Sequence, residues 1–223
     1  MKVKIYQIDK DTFGTKFMDY DFTMQKAGEI RPELYREVFN ADIDEENLEE
    51  VYTRFNTNHH PLFRGHSLSV SDVVVNDKGA FFVDSIGFKK IDFDESKTHK
   101  PDSLLRIVYV EPHRRAYEAE ILNEYNALSK AVGGLLELVH IGSDSLIVCN
   151  EEGKLKGMDG NRRLDNGTTI IAGPFFVCGY NDGDFRSLTV EEVKKYLDRF
   201  GEPEDISRVE VEADMGFTFL PLK

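Results

Sequence analysis

Two adjacent arginine pairs, Arg114-Arg115 and Arg162-Arg163, are the residues of this 223-residue chain best suited to chemistry. A guanidinium is a rigid fork of N–H donors that grips phosphate bidentately, and a tyrosine beside it can stack on a ring. Tyr117, Asn150 and Asn161 are nearby in sequence, so Arg114, Arg115, Tyr117, Asn150, Asn161 and Arg162 form the candidate pocket for a small anion or nucleotide, with each arginine pair read as a loop. The competing reading, which weighs more, pairs these arginines with local glutamates such as Glu111 and Glu118 at the surface.

Other groupings carry less. His59, His60 and His66, with Asp72 or Asp84, have nitrogen and oxygen donors but no compact zinc spacing, so no metal is expected and the histidines read as a polar loop. Ser67, Ser69 and Ser71 near those histidines superficially offer a nucleophile, a base and an orienter. Alternation along one strand would instead make them a polar row opposite Leu68 and Val70. Glu118 and Glu120 fall on one face of AYEAEI at a separation that paired-carboxylate catalysis uses, yet any half-exposed strand shows the same pattern. Cys149 and Cys178 have no histidine or basic neighbour to lower a thiol pKa and read as core residues. The segments GKLKGMDGN and GYNDGDF lack phosphate-loop spacing and read as turns, so no cofactor is expected.

The elements that must position these residues divide at DFDESKTHKPDS, Asp92 to Ser103, where apolar periodicity stops and Pro101 closes a charged run. Before it, residues 3 to 7 alternate weakly as a strand, with Tyr6 and Ile8 spoiling the polar face. Asp44 caps a helix carrying Leu48, Val51, Tyr52 and Phe55. SLSVSDVVV and AFFVDSIGFKKI make a hairpin about Asn76-Asp77-Lys78-Gly79.

After the break, strands are expected at 106–110, 116–121, 135–141 and 146–150, and at 168–178 with an interruption at Gly173-Pro174. A helix capped by Asn123 ends at Gly133-Gly134. The best specified helix is SLTVEEVKKYLDRFG: Thr189 and Glu192 form a capping box, Leu188 staples Val193, and Gly201 stops it. The expected fold is α+β, in two small domains of mostly antiparallel sheet with one or two packed helices each: residues 1–95, a linker at 96–103, and 104–223.

Composition narrows the class. With 40% hydrophobic and 31% charged residues the chain is neither disordered nor a disulfide scaffold. No stretch has the ~20 apolar residues of a membrane span and the N-terminus builds no signal h-region, so a cytoplasmic protein is expected, with no membrane partner. The 28 basic and 41 acidic residues give a net charge of −13, spread over both halves, which repels nucleic acid and leaves open a basic protein partner or mimicry of DNA.

Residues 1 to about 95, with SLSVSDVVV followed by VDSIGFKKI, resemble the YodL-like domain, a small module of bacterial mobile elements. Residues 104–204, with VYVEPHRRAYEAEI, CNEEGKLKGMDGNRRL, IIAGPFFVCG and SLTVEEVKKYLDRF, resemble a bacterial domain family of unknown function that recurs in phages, plasmids and conjugative elements. The resemblance implies a mobile-element setting and supplies no catalytic residue. The leading expectation is an accessory protein that binds a protein or small ligand without catalysis. The alternatives are an acidic, DNA-mimic-like anti-defence inhibitor and a small nucleotide-handling hydrolase built on the arginine pairs.

Overall fold

A computed structural model describes residues 1–101, 103–164, 167 and 169–215. The chain divides into two compact units, residues 1–102 and 103–223, and the fold is α+β with mostly antiparallel strands.

In the first unit the strands lie in the order β5-β4-β3-β1-β2, from Lys2–Ile8 (β1), Tyr35–Asp42 (β2), Val73–Asn76 (β3), Gly79–Val83 (β4) and Phe88–Ile91 (β5). Helices α1 (Tyr20–Ala27) and α2 (Leu48–Thr57) complete it. The weak alternation of β1 has a physical cause. Tyr6 and Ile8 enter a core cluster with Tyr35, Val73 and Phe82, covered by Tyr20 and Met24 of α1. A register shift between Ile5 and Tyr6 accompanies this change. Burial on both faces erases the period of two that a one-sided strand would show. On α2, Val51 and Phe55 are fully buried, with the Phe55 ring 4.8 Å from that of Phe39.

Several expectations need correction here. The α2 cap is Asn47, whose side chain accepts the Glu50 N–H, and not Asp44. The run Ser67 to Val75 is not one strand: Ser71 adopts φ 78° and only Val73 onward pairs, so the serines form no row on a polar face. The run 80–91 breaks at Asp84–Gly87 into β4 and β5. Residues 92–101 are held to the first unit: Glu95 accepts from Lys4 Nζ at 2.7 Å, and His99 N–H donates to Tyr35 O at 2.8 Å. Asp102, within the expected linker, lies outside the described residues.

In the second unit the order is β7-β6-β12-β9-β8, from Leu104–Val110 (β6), Tyr117–Leu122 (β7), Leu136–His140 (β8), Ser145–Asn150 (β9) and Phe175–Asn181 (β12). The short β13 (Asp184–Arg186) pairs with β12, while β10 (Gly160–Leu164) and β11 (Thr169–Ala172) form a separate hairpin. Thr168, expected to begin the last long strand, lies outside the described residues. One face of the sheet packs Val108, Ile147, Phe175 and Val177 against Val193, Tyr196 and Phe200 of α4 (Val190–Phe200). The Thr189–Glu192 capping box is present and Leu188 is buried with Val193, as the sequence expected. Helix α3 (Tyr125–Val132) follows Glu124, not Asn123, and Gly133 closes it with φ 76°. Helix α5 (Arg208–Asp214) packs Val211 with Ile206 against Ile170 and Ala172 of the hairpin. No helix among the described residues is long and apolar enough to cross a membrane.

Candidate functional site

The structure brings the two arginine segments together and changes what they do. Arg162 lies in β10, not in a loop, and is 1% exposed. All five of its guanidinium N–H groups meet oxygens. Nε and Nη2 donate to Phe200 O at 3.1 and 2.9 Å, Nη1 donates to Asn161 O and Oδ1 at 2.9 and 2.8 Å, and Nη2 also reaches Arg114 O at 2.8 Å. Phe200 O is a carbonyl of the last turn of α4, one of the acceptors a helix leaves unsatisfied. Gly201 is right-handed helical, with φ −57°, and makes no left-handed closure there. Arg162 does that work and places its charge on the negative end of the helix dipole. Burial lowers its pKa.

The remaining candidates are also engaged. Arg114 Nη1 donates to Glu111 Oε2 at 2.7 Å, the same oxygen that takes the Tyr117 hydroxyl at 2.7 Å, and its guanidinium lies 5.5 Å from the Tyr117 ring. Arg115 pairs with Glu202 at the surface, and Arg163 with Glu204 and Glu210. Asn161 Nδ2 ties Val110 O to Gly173 O. Asn150 is separately engaged: its Nδ2 donates to Val132 O and its Oδ1 accepts the Glu152 N–H. The set holds α4, β6 and the hairpin together, with partners mostly far away in sequence. Of the glutamates expected to pair locally, Glu111 takes Arg114, while Glu118 lies 3.5 Å from Arg106.

A different place in the same unit is open. A cleft of about 340 Å³ lies between the β8–β9 edge and the β10–β11 hairpin. Val139, Leu164, Ile170 and Ala172 give it apolar walls, and Glu137, Glu151 and Lys154 stand at it. Lys154 is held by Asp214 at 2.6 Å, whereas Glu137 and Glu151 are exposed and form no ion pair among the described residues. Sequence reasoning missed this cleft because β10 and β11 had to be recognised as a hairpin first.

The thiol at the cleft, Cys149, is not activated as a nucleophile. Burial, with Glu137 next to it, pushes the Cys149 thiol up to about 12, and burial does the same to Cys178. We expect neither cysteine to react with a thiol-specific reagent in the folded protein at pH 8, and both to react at once in denaturant, as a chromogenic disulfide would report. Rapid labelling of native Cys149 would contradict the buried-thiol assignment.

Two family models cover most of the chain. Residues 2–93 match the YodL-like domain, and residues 105–201 match a domain of unknown function, DUF3846. The two units thus match two different families. No curated protein and no solved structure matches the chain.

In the YodL-like unit the buried polar groups centre on Asp72, which is 1% exposed. Its Oδ2 accepts from Ser69 N–H at 2.8 Å and Gln7 Nε2 at 2.9 Å. Gln7 in turn donates to His66 O and accepts the His66 N–H, so β1 pins the 66–72 segment. His66 Nδ1 lies 4.0 Å from Asp72, and Ser71 is buried with its Oγ taking the Phe17 N–H. Desolvation pushes the Asp72 carboxyl up to about 7 against the hydrogen bonds that lower it. His60 is fully buried, and its Nδ1 accepts the Leu62 N–H. His59 Nε2 lies 3.1 Å from Ser67 Oγ at the surface. The three histidines therefore have separate structural partners. No group of three or more His, Cys, Asp or Glu side chains able to hold a metal ion occurs among the described residues.

Proposed function

We propose that the chain is a cytoplasmic accessory protein of a mobile genetic element that works by binding a protein partner and performs no reaction of its own. The observation that carries this reading is the cleft of the DUF3846 unit, with apolar walls and beside them the carboxylates Glu137 and Glu151, which form no ion pair among the described residues. Apolar walls give affinity by desolvation, and two exposed carboxylates, with the one lysine of the cleft already held by Asp214, select a basic partner over an acidic one. The mobile-element setting rests on the resemblance of both units.

The other readings draw less support. A nucleotide hydrolase would need the arginine forks free, and Arg162 spends all five donors on carbonyl and amide oxygens. A DNA mimic would need rows of unpaired carboxylates, and Glu111, Glu192, Glu204, Glu210 and Glu212 each face an arginine of the same chain.

The test compares the wild type with a Glu137→Lys, Glu151→Lys variant as baits in one host lysate. A protein retained by the wild type and lost by the folded variant is expected. Equal retention, or nucleotide turnover by the purified wild type, would refute the reading.

A further inference from the structure

We infer that the DUF3846 unit binds its partner by strand addition: an extended segment with basic side chains flanking an apolar one pairs with the outer edge of β8 and lowers the apolar side chain into the cleft. This rests on the binding reading above and specifies its geometry.

The backbone fixes which groups are available. Glu151 N–H donates to Leu135 O and Ile141 N–H donates to Ser145 O, so positions 135 and 141 are bonded pairs of the β8–β9 ladder. Bonded and non-bonded pairs alternate in an antiparallel ladder. With the register Glu137↔Cys149 and Val139↔Ile147, positions 137 and 139 also turn their backbone to β9. The N–H and C=O groups of Leu136, Leu138 and His140 therefore face outward. Since β8 is the last strand of its sheet, this row meets no other strand among the described residues.

Natural edge strands are blunted by lysine, proline or bulges. The outermost strand of the first unit, β5, carries Lys89 and Lys90. Strand β8 reads Leu-Glu-Leu-Val-His, in unbroken register and without lysine, proline or bulge; its one charged side chain, Glu137, lines the cleft, and Leu138 is 47% exposed.

Charge selects the occupant. Glu137 and Val139 project to the cleft side, so a strand laid on β8 sets one side chain opposite Glu137 and the next on that face, two residues on, toward the apolar walls. A basic residue fits the first place and an apolar one the second. A second copy would bring another Glu137 and another net charge of −13 to the same edge, which disfavours self-pairing.

The probe is acetyl-Thr-Lys-Val-Ile-Val-Lys-Thr-amide, titrated against the full chain by calorimetry. Four changes in affinity are expected, each about tenfold or more. Replacing both peptide lysines by glutamate weakens binding, as does the Glu137→Lys, Glu151→Lys variant. N-methylation of one alternating set of peptide amides abolishes binding while the other set tolerates it, because only one set faces β8. Finally, Leu138→Pro removes only an outward N–H from an edge strand, so that variant folds but does not bind.

Equal response to both methylated sets, or undiminished binding by Leu138→Pro, would overturn strand addition while leaving the cleft reading intact. No binding at millimolar peptide overturns it as well. A dimer that Leu138→Pro dissolves would assign the edge to a second copy, and binding gained only on deleting residues 216–223 would assign the cleft to the chain's own C-terminal sequence.

Discussion

Replacing Arg162 by alanine is expected to cost roughly 3–5 kcal/mol of unfolding free energy, read from urea denaturation followed by tyrosine fluorescence. The side chain is buried with no carboxylate in hydrogen-bond contact: its donors meet backbone carbonyls and the Asn161 amide oxygen, and Glu204 and Glu202 favour its charge only from farther off. Removing it strands Phe200 O, Arg114 O and the Asn161 oxygens where water does not reach, and leaves a void the size of a long side chain. Arg162→Lys should recover only part of the loss, because three donors on a point charge cannot reproduce a planar fork that spans three segments.

The neighbouring residue is the control. Arg163→Ala breaks two surface ion pairs, with Glu204 and Glu210, and should shift the urea midpoint only slightly. Two adjacent arginines thus differ several-fold in effect. Should Arg162→Ala unfold at the same urea concentration as Arg163→Ala, or should phosphate raise the melting temperature of the wild type and not of Arg162→Ala, the structural role would be wrong and the anion pocket would regain its claim.

That contrast shows what sequence carries. Capping and amphipathic period are local, so α4, its Thr189–Glu192 box and the Gly133 terminus were legible from the residues alone. The 76–79 turn was legible too, because Asn76 and Gly79 face each other across a tight reversal. Burial of polar residues is not local. Nothing in Asn161-Arg162-Arg163 reveals that, within one strand, the first two are buried, with Arg162 on the end of α4, while the third is half-exposed. The acceptors of Arg162 lie at positions 114, 161 and 200.

The same limit hid β2. Its sequence Tyr-Arg-Glu-Val-Phe-Asn-Ala-Asp carries charged and amide residues, with Glu37 fully buried, and breaks the alternation that marks a strand. That the outer edge of β8 pairs with no other strand among the described residues was invisible for a related reason. A strand announces its own pattern but not whether another lies beside it.

Asp72→Asn is expected to stabilise the first unit, and the gain should grow with pH. In the folded chain the carboxyl titrates at about 7, against an ordinary 3.8, because burial penalises its charge more than Ser69 and Gln7 favour it. Below about pH 4 the carboxyl is protonated in both folded and unfolded chains, and the wild type pays no penalty. Between about 4 and 7 the folded state holds a proton that the unfolded state has released, so stability falls as pH rises. Above about 7 both are ionised and the full cost is in place, at most about 4 kcal/mol for a difference of this size.

Asparagine keeps an acceptor for the Ser69 and Gln7 donors, both of which address a single oxygen, and never ionises. Its melting temperature should exceed that of the wild type only slightly near pH 4.5 and by several degrees at pH 8. Asp72→Ala leaves those two donors unmet and should be destabilising at both pH values. Equal melting of Asp72→Asn and wild type at pH 8 would mean that His66 or Lys16 already compensates the buried charge. Lower stability of Asp72→Asn at pH 8 than at pH 4.5, relative to wild type, would reverse the sign and place the carboxylate among the interactions that hold the unit together.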